Sequence, residues 1–367
     1  MAFRILTAEE AAEYIHHDDN VGFGGFTAAG TPKKVTVALA KKAREEHAAG
    51  RPFKIGVYTG ASTNDYIDGE LGRAEAIRSR TPYQSHPDTR NAANTHQMNY
   101  FDVHLSHLTQ MMRYGVLGKI NVAIIEAAEV SDNGEVLLGP GVGAAPTICR
   151  LADKIIIEIN KHENKAIRGF HDIYQPLDPP YRREIPIYKP SDRIGDTVLK
   201  VDPKKIVGIV ESDATDGVKP FAPVDEVTMR IGSNVSNFLA AQLKAGLIPP
   251  QFLPLQSGVG NIANAVLGAL GRDKTIPAFE MYTEVLQDAV VDLIRQGRVK
   301  FGSTCSLTVT NECLQGIYDD IDFFRDKLVM RPSEISNNPE VIRRLGVISI
   351  NTATVSYTHL TLPTIRL

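Results

Sequence analysis

The sequence predicts an α/β protein made of two layered domains with mostly parallel sheets. The chain has 367 residues, and at about 150 residues per domain this length favours two domains. Continuous apolar runs, NVAIIEAAEV (121–130) and KIIIEIN (154–160), are typical of strands buried on both faces. Such runs alternate with segments of helical periodicity, which is the pattern of a parallel sheet covered by helices.

The first half, residues 1–220, is expected to form an N-terminal α/β domain. TAEEAAEYIH (7–16) predicts a helix capped by Thr7, with Glu10 completing a capping box. A strand (NVGFGGF), a helix with Pro32 in its first turn (TPKKVTVALAKKARE) and a second strand (KIGVYTG) are expected to follow. Six of the 21 prolines lie between Pro176 and Pro203. Residues 172–203 are therefore expected to form an extended crossover that wraps the first domain.

The second half, residues 221–353, is expected to form a C-terminal α/β domain that is truncated. A helix (VTMRIGSNVSNFLAAQLKAG) leads to a strand (QFLPLQSG), a helix (NIANAVLGAL), a strand (AFEMY) and a last helix (EVLQDAVVDLIRQG). Thr283 is the expected N-cap of the last helix, which places Glu284 at its first position. The helix macrodipole favours a carboxylate there. Stabilisation of the helix is therefore enough to explain Glu284 as long as only the local sequence is considered.

Composition excludes several classes of function. The net charge is −3 and the pI about 6.4, which gives no basic field for nucleic acid. The three cysteines form no CxxC pair, which is typical of a reducing compartment. No apolar run approaches the ~20 residues of a membrane span, and the N-terminus has no signal-peptide pattern. A cytoplasmic protein without membrane or nucleic-acid partners is expected.

Three glycine-rich turns are candidate binding sites. GFGGFTAAG (22–30) lacks a clean GxGxxG pattern, so a tight turn is favoured over the dinucleotide site of a dehydrogenase. GPGVGAAP (139–146) fits either ligand binding or packing against a neighbouring domain. SGVGN (257–261) follows a strand and precedes a helix, which points its amides into the crevice where open α/β sheets bind ligands.

Glu284 and the SGVGN turn together form the more specific candidate site. Each follows the end of a strand, and the two strands are expected to finish at the same crevice. His104 and His107 share a helix face, but no third ligand accompanies them, so no metal site is predicted. No GxSxG motif is present, which leaves a serine nucleophile without support.

Several stretches together resemble the acetyl-CoA hydrolase/transferase family, the class I coenzyme A transferases of the succinyl-CoA:acetate type. They run from about residue 1 to residue 353 and are VGFGGFTAAGTPK, RTPYQSHPDTR, NYFDVHLSHLTQ, GKINVAIIEAAEV, DPPYRREIPIYKPSDRIG, QSGVGNIANAVLGAL, MYTEVLQDAV and RPSEISNNPEVIRRLGVISINTA. The resemblance implies CoA transfer between a short-chain acyl-CoA (acetyl-, propionyl- or succinyl-CoA) and an acetate or succinate acceptor. It also implies a homodimer that takes CoA as a substrate and holds no permanently bound cofactor.

The resemblance assigns residue roles. Glu284 is the implied nucleophile, which passes through an acyl-glutamyl anhydride and a glutamyl-CoA thioester. Val259 and Gly260 are the implied oxyanion donors, and Val259 is favoured. The implied CoA path is lined by Gly258, Val259, Gly260, Asn261 and Ile262. Asn337 is the residue expected to hold a substrate carboxylate.

The resemblance stops at residue 353, and residues 354–367 are expected to be a non-native tail. The family pattern continues with a further glycine motif, so one side of the site is expected to be incomplete. Two other functions stay open on the sequence. One is an acetyl-CoA hydrolase, in which water replaces the acceptor, and the other is an inactive CoA-binding fragment.

Overall fold

A computed structural model describes residues 3–220 and 223–352 of the chain. Within these ranges it contains thirteen α-helices: α1 Ala8–Ala12, α2 Lys34–Ala48, α3 Glu70–Arg73, α4 Pro87–Asn94, α5 Leu105–Arg113, α6 Ala145–Leu151, α7 Glu226–Lys244, α8 Asn261–Arg272, α9 Asp288–Arg295, α10 Asn311–Asp319, α11 Ile321–Arg325, α12 Ser333–Ser336 and α13 Pro339–Leu345. The same ranges contain sixteen strands: β1 Asn20–Phe23, β2 Ile55–Tyr58, β3 Ile77–Thr81, β4 Asn99–Tyr100, β5 Val122–Val130, β6 Glu135–Leu138, β7 Lys154–Asn160, β8 Leu199–Lys200, β9 Ile206–Ser212, β10 Leu255–Ser257, β11 Phe279–Tyr282, β12 Val285–Leu286, β13 Val299–Thr304, β14 Ser306–Leu307, β15 Leu328–Met330 and β16 Ile348–Ile350.

The first sheet contains seven parallel strands in the order β4-β3-β2-β1-β5-β7-β9. Strands β6 and β8 extend it through antiparallel pairing at the end of β5. The apolar runs read from the sequence are its central strands: β5 and β7 pair from Val122↔Lys154 to Ala127↔Ile159. The predicted parallel α/β architecture is confirmed for this half.

The second sheet has the order β15-β13-β11-β10-β16, and its neighbouring strands are all parallel. Strands β10 and β11 are adjacent, with Leu255 level with Met281. The turns that follow these two strands therefore meet at one edge of the sheet, as the sequence predicted. A separate parallel pair, β12 with β14, continues beyond this edge.

The starts of α1 and α2 are stabilised in different ways. Thr7 and Glu10 form the predicted capping box at α1, with the Glu10 N–H donating to Thr7 Oγ1 at 3.1 Å. Helix α2 begins at Lys34, so Pro32 precedes it and does not lie in its first turn as predicted. No side chain of its own caps α2; the buried carboxylate of Glu158 in β7 accepts the N–H groups of residues 33–35 at 2.8–3.1 Å. A tertiary contact thus satisfies the free amides of this helix.

The two halves share one hydrophobic core. Its buried residues include Ile157 of the first sheet and Met281 and Met330 of the second. The proline-rich segment is extended, as predicted, but it contacts both halves and does not wrap only the first. Ile185 and Ile187 pack in a cluster with Tyr282 of β11, because this segment supplies apolar cover for the second sheet. The boundary between residues 220 and 221 stays a prediction.

Three further expectations concern segments and side chains outside the sheets. The predicted tail, residues 354–367, lies outside the described residues. Among the helices that the structure describes, none is long and apolar enough to cross a membrane. Cys149, Cys305 and Cys313 are free thiols, and the first two are buried.

Candidate active site

Glu284 lies between two strands and not at the start of a helix. Strand β11 ends at Tyr282, and Val285 with Leu286 forms β12, which pairs with β14. Helix α9 begins only at Asp288. The predicted N-cap at Thr283 is therefore wrong, because pairing with β14 keeps the chain extended where its periodicity suggested a helix. The macrodipole of α9 does not explain the position of Glu284.

The backbone around Glu284 is fixed by the neighbouring strand. Its carbonyl oxygen accepts the N–H of Cys305 at 2.9 Å and the hydroxyl of Thr304 at 3.0 Å. One residue earlier, the Thr283 N–H donates to Ser303 O at 2.9 Å. These bonds hold the main chain on both sides of the carboxylate, so the side chain projects from a rigid support.

The carboxylate of Glu284 is half-buried and faces a cavity of about 1210 Å³. Burial raises the pKa of Glu284, and a hydrogen bond from the Asn337 side chain opposes this rise. Asn337 follows α12 and is held by a second hydrogen bond, from its Nδ2 to Ser333 O at 3.1 Å. A poorly hydrated carboxylate with a single amide donor is suited to nucleophilic attack once it is ionised.

The SGVGN turn presents one free amide to the same cavity. The Gly258 N–H donates to Ile350 O at 2.8 Å, and the Gly260 N–H contacts Gln287 Oε1 at 3.4 Å. Gln287 also donates to Gly258 O at 2.9 Å, which fixes the turn beside Glu284. Within the described residues, the N–H of Val259 donates to no acceptor. Val259 is 49% exposed and lines the cavity with Glu284, so its amide can receive an oxyanion.

The other predicted CoA contacts lie next to this turn. Asn261 and Ile262 form the first turn of α8, and both side chains are half-buried. Gly260 adopts φ 118°, a left-handed conformation that glycine tolerates. Of the five predicted CoA-path residues, all of them described, Val259 is the one that lines the cavity. The assignment of Gly258, Gly260, Asn261 and Ile262 stays a prediction.

Sequence reasoning missed a threonine pair across the cavity. Thr27 lines it from the first half and Thr308 from the second, and their hydroxyl oxygens lie 2.5 Å apart. Thr27 has φ 55°, an uncommon conformation for a β-branched residue. Thr27 replaces the third glycine of the incomplete GxGxxG pattern, which was a visible signal. Its contact with Thr308 was not visible, because the two residues are 281 positions apart.

The first two glycine turns pack against each other. A Cβ at Gly141 would collide with the backbone oxygen of Ala29, and one at Gly143 would collide with that of Gly25. On its other side, GPGVGAAP contacts the link between β13 and β14, where the Val142 N–H donates to Cys305 O at 3.1 Å. Close backbone packing within the first half therefore accounts for Gly141 and Gly143. The Val142 contact is packing against the second half, which was one of the two roles left open for GPGVGAAP.

His104 and His107 are the two histidines for which the sequence predicted no metal site. His104 precedes α5, and its ring contacts that of His107 edge-on with 5.9 Å between centroids. Among the described residues, the group of potential ligands close enough to share an ion is Glu126, Glu163 and Asp216. Lys33 Nζ lies 2.5 Å from Glu126 and 2.9 Å from Asp216, so an ammonium already supplies positive charge there.

Solved structures resemble the overall fold. RipA from Yersinia pestis aligns with a TM-score of 0.67 at 20% identity, over 95% of this chain and 73% of that one. At this identity the likeness supports the fold. The predicted fold class is confirmed.

Curated relatives cover nearly the whole chain. It is 44% identical over 346 residues to propanoyl-CoA:succinate CoA transferase of Escherichia coli (strain K12), across 94% of this chain and 70% of that protein. It is 41% identical to succinyl-CoA:acetate CoA-transferase of Clostridium kluyveri, across 95% of this chain and 64% of that protein. It is 36% identical to acetyl-CoA hydrolase of Yarrowia lipolytica, across 95% of this chain and 68% of that protein. The chain thus spans about two thirds of the length of these relatives.

The sequence pattern of the acetyl-CoA hydrolase/transferase N-terminal domain matches residues 3–211. This match covers more than half of the chain and agrees with the resemblance read from the motifs. The chain belongs to the acetyl-CoA hydrolase/transferase family, a family of enzymes.

Proposed function

We propose that this protein transfers CoA between a short-chain acyl-CoA and a carboxylate acceptor, with Glu284 as the covalent carrier. The donors are acetyl-, propionyl- or succinyl-CoA, and the acceptors are acetate or succinate. One observation carries the proposal: a half-buried carboxylate and the free Val259 amide lie in one cavity at the ends of adjacent parallel strands. The activities for which the two CoA-transferase relatives are named support the choice of substrates.

The proposed reaction has two covalent stages. The γ-carboxylate of Glu284 attacks the thioester carbonyl, the C–S bond breaks, and an acyl-glutamyl anhydride forms with release of CoA thiolate. The thiolate then attacks the glutamyl carbonyl, which yields a glutamyl-CoA thioester and frees the donor carboxylate. The acceptor repeats these steps in reverse. Because each intermediate is an activated acyl group, the free energy of the thioester is kept.

Burial and directed donors make these steps feasible for a weak nucleophile. Partial desolvation of Glu284, the cause of its raised pKa, reduces the solvation that attack must disrupt. Each stage passes through a tetrahedral oxyanion, for which the Val259 N–H is the proposed donor. Gly260 is the weaker candidate, since Gln287 engages its amide. Asn337 is proposed to hold the substrate carboxylate, and Gly258, Asn261 and Ile262 to line the path of CoA.

The covalent intermediate is the direct test. The protein is incubated with acetyl-CoA or succinyl-CoA without acceptor, and the peptide containing Glu284 is examined by mass spectrometry. A CoA thioester on Glu284 is expected in the wild type, and Glu284→Ala is expected to be inactive. Glu280→Gln is the control, because Glu280 lies on β11, the strand that leads to Glu284, and its pKa is also raised by burial. Full activity of Glu284→Ala, or labelling at another residue, would refute the proposal.

Hydrolysis is the second candidate. The identity to acetyl-CoA hydrolase favours it, and water can reach a carboxylate that is only half-buried. The two activities differ in their response to an acceptor. If CoA release from acetyl-CoA is unchanged by added succinate, water is the acceptor. CoA binding without isotope exchange between acetate and acetyl-CoA would instead indicate an inactive CoA-binding fragment.

The proposal also covers the location of the protein in the cell, the role of CoA and the oligomeric state. We place the protein in the cytoplasm, which the three free thiols support. We assign CoA as a substrate and not as a bound cofactor. The homodimer rests on the family resemblance and is tested by light scattering of the purified protein.

A further inference from the structure

Lys33 is a fully buried lysine that immediately precedes α2. Its Nζ lies 2.5 Å from Glu126 Oε2, 2.9 Å from Asp216 Oδ1 and 2.9 Å from the carbonyl oxygen of Thr31. The side chains of Lys33 and Glu126 are 0% exposed, and that of Asp216 is 6% exposed. Glu163 completes the cluster and accepts the hydroxyl of Tyr318 at 2.9 Å. A lysine is rarely buried without such partners, so the ion pairs define its position.

Asp216 belongs to a segment that is also held at another point, where Asn160 Nδ2 donates to Ala214 O at 2.7 Å. Residues 213–220 follow β9 and contain no helix or strand, and Asp216 is their one buried residue. Gly217 follows at φ 66°, in open space. Residues 216–219 nevertheless line the cavity that contains Glu284 and Val259. Within residues 216–219, which form the wall of the cavity at this point, Asp216 is therefore the buried side chain that attaches the loop.

Asp216 is held by a backbone hydrogen bond and by an ion pair. The Gly30 N–H donates to both carboxylate oxygens of Asp216 at 3.1 Å, and Lys33 supplies the charge. Both partners lie in the segment that leads into α2, and Glu158 fixes the end of this segment on the first sheet through the Lys33 N–H. Asp216 thus joins the loop to the first glycine turn, the same turn that brings Thr27 to the cavity. Hydrogen bonds to an ionised group are stronger than neutral ones, which suits an isolated anchor.

We infer that Asp216 and Lys33 are positioning residues that hold the 216–219 wall in the conformation that binds the CoA substrate. This inference rests on the proposed function, since it assumes that the cavity receives CoA. Neither residue touches the reacting atoms. Without the anchor the loop must be ordered when CoA binds, and the lost conformational entropy reduces affinity.

The chain provides a matched control three residues away. Asp213 pairs with Lys34 at 2.9 Å, so the two ion pairs join the same segments, but the side chains of Lys34 and Asp213 are 43% and 70% exposed. Asp213→Ala removes an ion pair in solvent, whereas Asp216→Ala removes the buried anchor. Asp216→Asn keeps the oxygen acceptor and loses the charge. Lys33 stays paired with Glu126 in all three variants, so each is expected to fold.

The test measures the Kd of CoA by titration calorimetry and the hydrogen exchange of the peptide containing Gly30. We expect Asp216→Ala to weaken CoA binding about fivefold, the cost of ordering a few side chains at binding. Asp216→Asn should lie between Asp216→Ala and the wild type, and Asp213→Ala should match the wild type. Exchange at Gly30 should be faster only in Asp216→Ala, because its amide loses its acceptor.

The outcomes separate this inference from the proposed function. The inference that Asp216 anchors the loop would be overturned by an unchanged Kd of CoA in Asp216→Ala. It would also be overturned if Asp216→Ala and Asp213→Ala lost CoA affinity equally. A wild-type protein that binds no CoA would overturn both, whereas CoA binding without a Glu284 adduct would refute only the covalent mechanism.

Discussion

Replacing Arg331 with leucine should strongly destabilise the protein. Arg331 follows β15, and its side chain is 0% exposed, while that of its partner Asp172 is 1% exposed. Its guanidinium donates to the Asp172 carboxylate, to Ser303 Oγ at 2.8 Å and to Pro190 O at 3.0 Å. One side chain thus joins the proline-rich segment, which contains Asp172 and Pro190, to β13.

The magnitude follows from what the substitution leaves behind. Arg331→Leu fills part of the space and leaves the buried Asp172 carboxylate without its cation. Removing one partner of a buried pair costs about 3–5 kcal/mol. Asp172 Oδ1 would keep the N–H groups of Ile194 and Gly195, at 2.8 and 2.6 Å, so the carboxylate cannot simply turn into solvent. The free energy of unfolding should fall by about 3–5 kcal/mol.

Unfolding in urea, followed by circular dichroism, measures this change. Arg51→Leu is the matched control, because Arg51 contacts Glu46 through two hydrogen bonds but its side chain is 61% exposed. It should change the free energy of unfolding far less. The double variant Arg331→Leu/Asp172→Asn should lose less than the sum of the single variants, because no unpaired charge remains. A loss below about 1 kcal/mol in Arg331→Leu would refute the reasoning.

Three further predictions follow from the glutamates and the glycine turns. Burial raises the pKa of Glu163 to about 8 from an ordinary value of 4.5, so the folded state binds more protons between these values. The free energy of unfolding should therefore fall as pH rises from about 4.5 to about 8, and urea titrations of Glu163→Gln should show a flatter dependence. Gly143→Ala should cost at least about 2 kcal/mol more than Gly297→Ala in the same assay, because both glycines have positive φ but only the first faces a backbone carbonyl; equal costs would contradict it. Because burial raises the pKa of Glu284, kcat/KM should begin to fall with decreasing pH at a pH above the ordinary pKa of a glutamate. Asn337→Ala should raise that pH further, because it removes the hydrogen bond that lowers the pKa of Glu284. An acid limb unaffected by Asn337→Ala would argue that another group controls it.

Much of the architecture could be predicted from local patterns. The runs 121–130 and 154–160 were assigned to buried strands because parallel strands covered on both faces need continuous apolar sequence. The meeting of the SGVGN turn with Glu284 followed from the rule that parallel strands end at one edge, and β10 and β11 are indeed neighbours. The family resemblance and the fold class are both confirmed.

The sequence alone therefore determined the α/β class, the strands that carry the candidate site and the choice of Glu284. Tertiary structure decided the local conformation of Glu284, since pairing of β12 with β14 overrides the helical periodicity of the segment. It also decided the contact of Thr27 with Thr308, which are 281 positions apart in the chain. The same holds for the anchoring of Asp216 by Lys33, across 183 positions. Periodicity and capping act over a few neighbouring residues, whereas the burial of a charge depends on which distant groups the fold brings to it.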